Sequence, residues 1–147
     1  MKDAQMNPDE VTWITDNVAI TNFFSAHSGE VIAQHGVNAI LCLDRDLEGC
    51  PAKERGVECV RVIHLNDGGN EIYLFREAVS APEFLTGRYG RVVVHCRAGR
   101  SRSIAIVAGY LRKALGIDAD EAFEIVRSKR ESAVAPELIR LVERLDG

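Results

Sequence analysis

The stretch that decides the fold is VVVHCRAGRSRSIAIVA, residues 92–108. It opens with β-branched apolar residues, which favour a buried strand. From Ile104 onward it carries an apolar pattern that indicates a helix. Cys96 therefore lies where the strand ends, and Arg102 lies where the helix begins. The five residues between them suffice for a tight loop whose backbone N–H groups converge on one point, with a sulfur nucleophile at its base.

The rest of the chain alternates between strand and helix patterns. The predicted strands are 13–14, 18–20, 37–43, 57–65 and 91–95, and the predicted helices are 28–35, 72–79, 103–115, 118–129 and one that begins at Pro136. Pro82 is expected to begin a further short helix. The alternation predicts an α/β fold with a central, mostly parallel sheet of about four or five strands flanked by helices. The cysteine loop is expected between a core strand and the central helix.

Length and composition suit one soluble domain. The chain has 147 residues, of which 46% are hydrophobic and 27% are charged. No apolar stretch approaches the roughly 20 residues that a membrane-spanning helix needs, and the N-terminus lacks the apolar core of a signal peptide. We therefore expect a cytoplasmic monomer, with residues 1–11 as a mobile tail and residues 12–147 as one domain. The cysteines fit no paired metal site and are expected to be thiols.

Charge is unevenly distributed along the chain. The net charge is −4 at pH 7, yet residues 84–117 contain no acidic residue and seven arginine and lysine residues. Arg97, Arg100 and Arg102 crowd into six residues of this stretch. A basic island in an acidic protein, centred on the cysteine loop, indicates an anionic ligand.

The residues of the loop predict the chemistry of that ligand. A free cysteine thiol is mostly protonated at neutral pH, but a helix amino end, backbone N–H donors and Arg102 all favour the Cys96 thiolate. The Ser103 hydroxyl is expected to add a hydrogen bond to the sulfur. Arg102 offers a planar fork for two phosphate oxygens. His95 is expected to orient the loop through a backbone carbonyl. The predicted phosphate-binding residues are Arg97, Ala98, Gly99, Arg100, Ser101 and Arg102, and the expected product of attack is a cysteinyl phosphate.

A leaving alkoxide needs a proton, and a carboxylic acid across the cleft is the natural donor. Asp67 is our choice, because its loop follows a core strand, as the Cys96 loop does. Loops at the carboxyl ends of parallel strands lie at the same edge of the sheet. Asp44, Asp46 and Glu71 are the alternatives. No metal or other cofactor is needed for these steps.

The string His95-Cys96-x-Ala98-Gly99-x-Ser101-Arg102-Ser103 resembles the signature of the cysteine-dependent protein tyrosine phosphatase superfamily, and in particular its dual-specificity branch. The resemblance extends over roughly residues 12–146. It implies the dual-specificity-phosphatase fold, with residues 12–147 as the catalytic domain of a phosphomonoester hydrolase. It also implies Cys96 as nucleophile, Arg102 as phosphate clamp and Ser103 as thiolate partner. Asp67 stands in a position similar to the family's general acid.

The resemblance leaves the substrate open. No insertion looks like the phosphotyrosine-recognition loop of the larger tyrosine-specific enzymes, which implies a shallow cleft open to phosphotyrosine, phosphoserine and phosphothreonine in proteins. Arg97 and Arg100 motivate an alternative, the same chemistry on a phosphoinositide, a phospholipid phosphate or an RNA 5′-phosphate. A phosphate-binding module without turnover is a third possibility. The expected partners are a phosphorylated protein or another phosphomonoester, and phosphate-like or sulfate-like anions in the loop, but not DNA.

Overall fold

The computed structural model of the protein describes residues 10–44 and 56–145. In these residues one five-stranded sheet has the order β1-β2-β5-β3-β4. The strands are Thr12–Trp13 (β1), Val18–Thr21 (β2), Ala39–Cys42 (β3), Cys59–Val62 (β4) and Val92–His95 (β5). Strands β2, β5, β3 and β4 run parallel, and only β1 pairs antiparallel to its neighbour. The predicted mostly parallel α/β sheet is therefore confirmed.

Six helices flank the sheet in the described part of the chain. They are Phe23–Ala26 (α1), Gly29–Gln34 (α2), Ile72–Tyr89 (α3), Arg102–Leu115 (α4), Ala119–Arg127 (α5) and Pro136–Glu143 (α6). Ser28 and Asp118 cap α2 and α5 through their side chains, as predicted. Helix α1 was not predicted, because four residues are too few to carry a periodic apolar signal.

The prediction of two helices over residues 72–89 is wrong. Helix α3 runs without a break from Ile72 to Tyr89 and contains Pro82 in its interior. A proline there lacks the N–H that would bond the preceding turn. The helix nevertheless continues, because Phe75 and Val79 before the proline and Leu85 after it are all buried in the same core. Packing on both sides of the proline therefore outweighs the lost hydrogen bond.

Burial of the central strands fixes where the cysteine loop emerges. Every residue of β2, β3 and β5 is buried, as expected for parallel strands covered on both faces. Helix α4 follows β5 and buries most of its first two turns against the sheet. Residues 96–101 join these two elements, at the carboxyl end of a central strand. The predicted strand over residues 57–65 is shorter, since only Cys59–Val62 pairs in the sheet.

Some predictions fall on parts of the chain that the structure does not describe. The predicted tail is described only at residues 10 and 11. Asp46 and Cys50 also lie outside the described residues. Among the described residues, Cys42 and Cys96 are buried and Cys59 is partly buried. No helix of residues 10–44 and 56–145 combines the length and the apolar composition needed to cross a bilayer.

Candidate active site

The thiol of Cys96 lies at the base of the loop that joins β5 to α4. Only 2% of Cys96 is exposed, and its Sγ lies 3.3 Å from Oγ of Ser103, within hydrogen-bond distance for a sulfur. Ser103 is fully buried in the first turn of α4. The structure therefore brings together the sulfur and the hydroxyl that the sequence paired.

The carbonyl groups of the loop all have hydrogen-bond donors outside it. Four consecutive carbonyls accept as follows: Arg97 from the Phe23 N–H at 2.8 Å, Ala98 from Nη2 of Arg130 at 3.2 Å, Gly99 from Nε of Arg130 at 2.6 Å, and Arg100 from the Ala133 N–H at 2.7 Å. In a planar trans peptide the N–H points opposite to the C=O. The N–H groups of residues 98–101 therefore turn away from these donors and toward the inside of the loop. An oxyanion cradle of the predicted kind requires this orientation of the peptides.

Gly99 is required by the close approach of its neighbours. Its φ is +74°, a backbone conformation that side chains disfavour. A Cβ at this position would collide with the carbonyl of Thr21 and lie 2.6 Å from Nη2 of Arg130. Gly99, one of the predicted phosphate-binding residues, is therefore also required by the packing on the outer side of the loop.

Arg130 contacts the loop from outside and was not predicted from the sequence. It is buried, and its guanidinium holds the carbonyls of both Ala98 and Gly99. Burial lowers the pKa of Arg130, and the neighbouring Glu10 carboxylate opposes that shift. No local pattern could have found this role, because the loop carbonyls lie 31 and 32 residues away along the chain.

The guanidinium of Arg102 is anchored on one edge only. Its Nη1 donates to the carbonyl of Leu65 at 3.1 Å and to Oδ1 of Asp44 at 3.3 Å, with the Leu43 carbonyl at 3.5 Å. Among the described residues, all hydrogen bonds of this side chain start from Nη1. The Nε and Nη2 donors make none of these bonds, and the fork predicted for two phosphate oxygens requires such donors.

The other two loop arginines have carboxylate partners. Nη2 of Arg97 lies 2.9 Å from Oδ2 of Asp44, and Nη2 of Arg100 lies 3.2 Å from Oε2 of Glu10. Both guanidinium groups are thus compensated. Any contact of Arg97 and Arg100 with an anion is therefore expected from their backbone N–H groups and not from their guanidinium groups.

The Asp67 loop meets the cysteine loop, as the parallel sheet predicted. Oδ1 of Asp67 accepts a 2.8 Å hydrogen bond from the Ser101 hydroxyl. The same hydroxyl accepts a 3.2 Å bond from the Ala135 N–H. Asp67 is exposed, so its carboxyl group is accessible to solvent.

Glu137, in the first turn of α6, fixes the Asp67 loop. Its Oε2 accepts from the N–H of Gly69 at 2.6 Å and from the N–H of Asn70 at 3.3 Å. The side chain of Asn70 also exchanges two hydrogen bonds with the backbone of Asn66. The loop is therefore tied within itself and to α6. Glu137 was not predicted, because its partners lie 67 and 68 residues away.

The alternatives to Asp67 are placed differently. Asp44 is nearly buried, and its carboxylate is paired with both Arg97 and Arg102. Glu71 is exposed before α3 and caps that helix with its backbone only. His95 contacts a backbone carbonyl as predicted, since its Nδ1 lies 3.0 Å from the oxygen of Cys96. Across the described ranges, no group of three or more His, Cys, Asp or Glu side chains is arranged to hold a metal.

The sequence matches a family model over most of its length. The model, described as "Dual specificity phosphatase, catalytic domain", matches residues 22–142. The chain therefore belongs to the dual-specificity phosphatase family. Dual specificity protein phosphatase 1 of Arabidopsis thaliana is 33% identical over 109 residues, which cover 74% of this chain and 54% of that protein. The chain thus spans about half the length of this relative.

Solved structures agree with this fold. Human DUSP28 has a TM-score of 0.80 at 22% identity, over 96% of this chain and 95% of that one. PTPMT1 in complex with PI(5)P has a TM-score of 0.73 at 21% identity, over 90% and 92%. The dual-specificity-phosphatase fold predicted from the cysteine loop is therefore confirmed.

The one-edge anchoring of Arg102 predicts the result of a charge-conserving substitution. Arg102→Lys should weaken binding of inorganic phosphate by roughly 10- to 100-fold, because a single ammonium cannot replace the fork. Arg97→Lys is the matched control and should change affinity less than about twofold, because that side chain is 54% exposed and bonds Asp44. Isothermal titration calorimetry measures both. Unchanged affinity in Arg102→Lys would mean that only the positive charge matters, and equal losses at the two positions would mean that the fork of Arg102 has no special role.

Proposed function

We propose that this chain hydrolyses phosphomonoesters through a cysteinyl-phosphate intermediate. The observation that carries the proposal is the buried Cys96 sulfur beside Ser103, under a loop whose carbonyls are all bonded outward. In such a loop, backbone N–H groups and Arg102 would hold the phosphoryl oxygens, with phosphorus above the sulfur. The family to which the chain belongs supports this reaction.

The reaction balances in two steps. In the first, the Cys96 thiolate attacks phosphorus, the S–P bond forms as the P–O bond to the leaving group breaks, and Asp67 gives its proton to the departing oxygen. In the second, Asp67 takes a proton from water as that water attacks phosphorus. The S–P bond breaks and its electron pair returns to sulfur, where the Ser103 hydroxyl stabilises the thiolate.

The assignment of Asp67 as the acid rests on its contacts. Its carboxyl group touches residues 96–101, the proposed phosphate loop, through Ser101 and has no arginine partner within residues 10–44 and 56–145. It can therefore exchange a proton with a leaving group, whereas Asp44 is tied to two cations. Glu137 keeps the Asp67 loop against the cleft before substrate arrives.

The favoured substrates are phosphotyrosine, phosphoserine and phosphothreonine in proteins. Two of the three loop arginines are compensated by carboxylates, which suits one phosphate group better than a polyphosphorylated headgroup. The second candidate is a phosphoinositide or a related phosphate outside proteins, and the fold similarity to PTPMT1 in complex with PI(5)P is what favours it. A binding module without turnover would need neither the cysteine nor the acid.

The nucleophile can be tested directly. The unsubstituted protein should hydrolyse p-nitrophenyl phosphate, and Cys96→Ser should abolish turnover, because a serine hydroxyl is not ionised at neutral pH. Cys42→Ser is the control, since that buried thiol bonds the Asp44 carbonyl and not Ser103. Turnover that survived Cys96→Ser would contradict the proposed intermediate. Phosphate binding without turnover by the unsubstituted chain would instead favour the binding module.

The proposed role of Asp67 as the general acid can be tested with substrates whose leaving groups differ in their need for a proton. Asp67→Asn should lower kcat by about 10²- to 10⁴-fold on an alkyl phosphate, whose leaving group needs a proton, and much less on p-nitrophenyl phosphate. Glu71→Gln is the matched control and should leave both rates near those of the unsubstituted protein. A steady-state series of aryl and alkyl phosphates measures the difference. Normal rates on the poorest leaving group would exclude Asp67.

The two substrate classes can be compared with one preparation. We expect kcat/KM on phosphotyrosine and phosphothreonine peptides to exceed that on vesicles containing phosphatidylinositol 5-phosphate by roughly tenfold or more. Phosphate release measured by a colorimetric assay reports all three rates. A faster rate on the vesicles than on every peptide would contradict the choice of protein substrates and favour the phosphoinositide.

A further inference from the structure

The carboxylate of Glu10 binds two arginines, one in the phosphate loop and one that packs against the outer side of this loop. Its Oε1 lies 3.0 Å from Nη2 of Arg130, and its Oε2 lies 3.2 Å from Nη2 of Arg100. One carboxylate thus neutralises a loop arginine and the buried arginine behind the loop. Glu10 comes from the segment that the sequence predicted to be a tail.

The backbone of Glu10 is anchored as firmly as its side chain. Its N–H donates to Oγ of Ser25 at 3.1 Å, and its carbonyl accepts from Oγ1 of Thr21 at 2.7 Å. The side-chain amide of Asn22 donates to Oε1 at 3.2 Å. Ser25, Thr21 and Asn22 are fully buried. Glu10 is therefore docked at the junction of β2 and α1, and its carboxylate is held in one place.

Arg130 depends on that carboxylate. The arginine is buried, and Glu10 is its ion-pair partner within the described residues. Its other donors reach neutral oxygens, those of Ala98, Gly99 and Thr12. A buried cation without a counterion is strongly unfavourable. Loss of the Glu10 charge would therefore draw the guanidinium toward solvent and away from the loop carbonyls.

We propose that Glu10 is a positioning residue of the phosphate loop. It holds Arg130 against the carbonyls of Ala98 and Gly99, so that the following N–H groups stay aimed at the anion. The inference rests on the proposed function, because it assigns Glu10 a part in binding the phosphoryl group. Glu10 thereby becomes a component of the proposed oxyanion site through Arg130 and Arg100.

The test compares Glu10→Gln with Glu131→Gln in the full chain. Glutamine keeps the size of the side chain and removes its charge. Glu131 also faces Arg100, at 3.9 Å, but it is 82% exposed and forms no bond with Arg130. We expect Glu10→Gln to weaken binding of inorganic phosphate by roughly 10-fold and to raise KM for p-nitrophenyl phosphate. Glu131→Gln should leave both unchanged within about twofold.

A spectroscopic measurement separates positioning from general destabilisation. In a ¹H–¹⁵N spectrum of Glu10→Gln, the amide signals of Gly99 and Arg100 should shift while core signals stay in place. The leaving-group dependence of kcat should be unchanged, because Asp67 is not touched. Unshifted loop amides together with unchanged phosphate affinity would overturn the inference and leave the proposed function intact. Absence of phosphate binding in the unsubstituted protein would overturn the proposed function, and this inference with it.

Discussion

The outward hydrogen bonding of the phosphate-loop carbonyls is the constraint on which the site depends. A short loop can aim consecutive N–H groups inward only if its carbonyls find donors on the other side. Here the donors come from three places: the start of α1, the buried Arg130, and the backbone after α5. In the proposed site, the thiol, the arginine fork and the helix amino end can act together on an anion only if this outer shell of donors orients the peptides in this way.

Two kinds of feature could be predicted from the sequence: those formed by neighbouring residues, and those that follow from the geometry of a parallel sheet. The valine strand, the loop and the following helix lie within one short stretch, so their order was readable, and Cys96 meets Ser103 as expected. Asp67 also reached the site as predicted, because the carboxyl ends of parallel strands share an edge. The helix break predicted at Pro82 is absent, because core burial on both sides of the proline outweighs its local tendency to begin a helix.

The outer shell was not predictable, because its members are single residues far apart along the chain. Arg130 and Glu10 are 120 residues apart, and each looks like an ordinary charged residue in its own segment. The basic island shows the same limit. Counting charges indicates an anion site, but the fold pairs Arg97 with Asp44 and Arg100 with Glu10. The charge that a ligand meets depends on those pairings, and therefore on tertiary structure.

The segment between α5 and α6 sets the relation between the proposed nucleophile and the proposed acid. The N–H groups of Ala133 and Ala135 bind the Arg100 carbonyl and the Ser101 hydroxyl of the phosphate loop. A few residues later, Glu137 binds the backbone of the Asp67 loop. One short stretch of chain thus forms hydrogen bonds with both the phosphate loop and the Asp67 loop. Because a small displacement of a catalytic group costs much of its effect, the distance between sulfur and carboxyl depends on this segment as much as on the two loops that carry them.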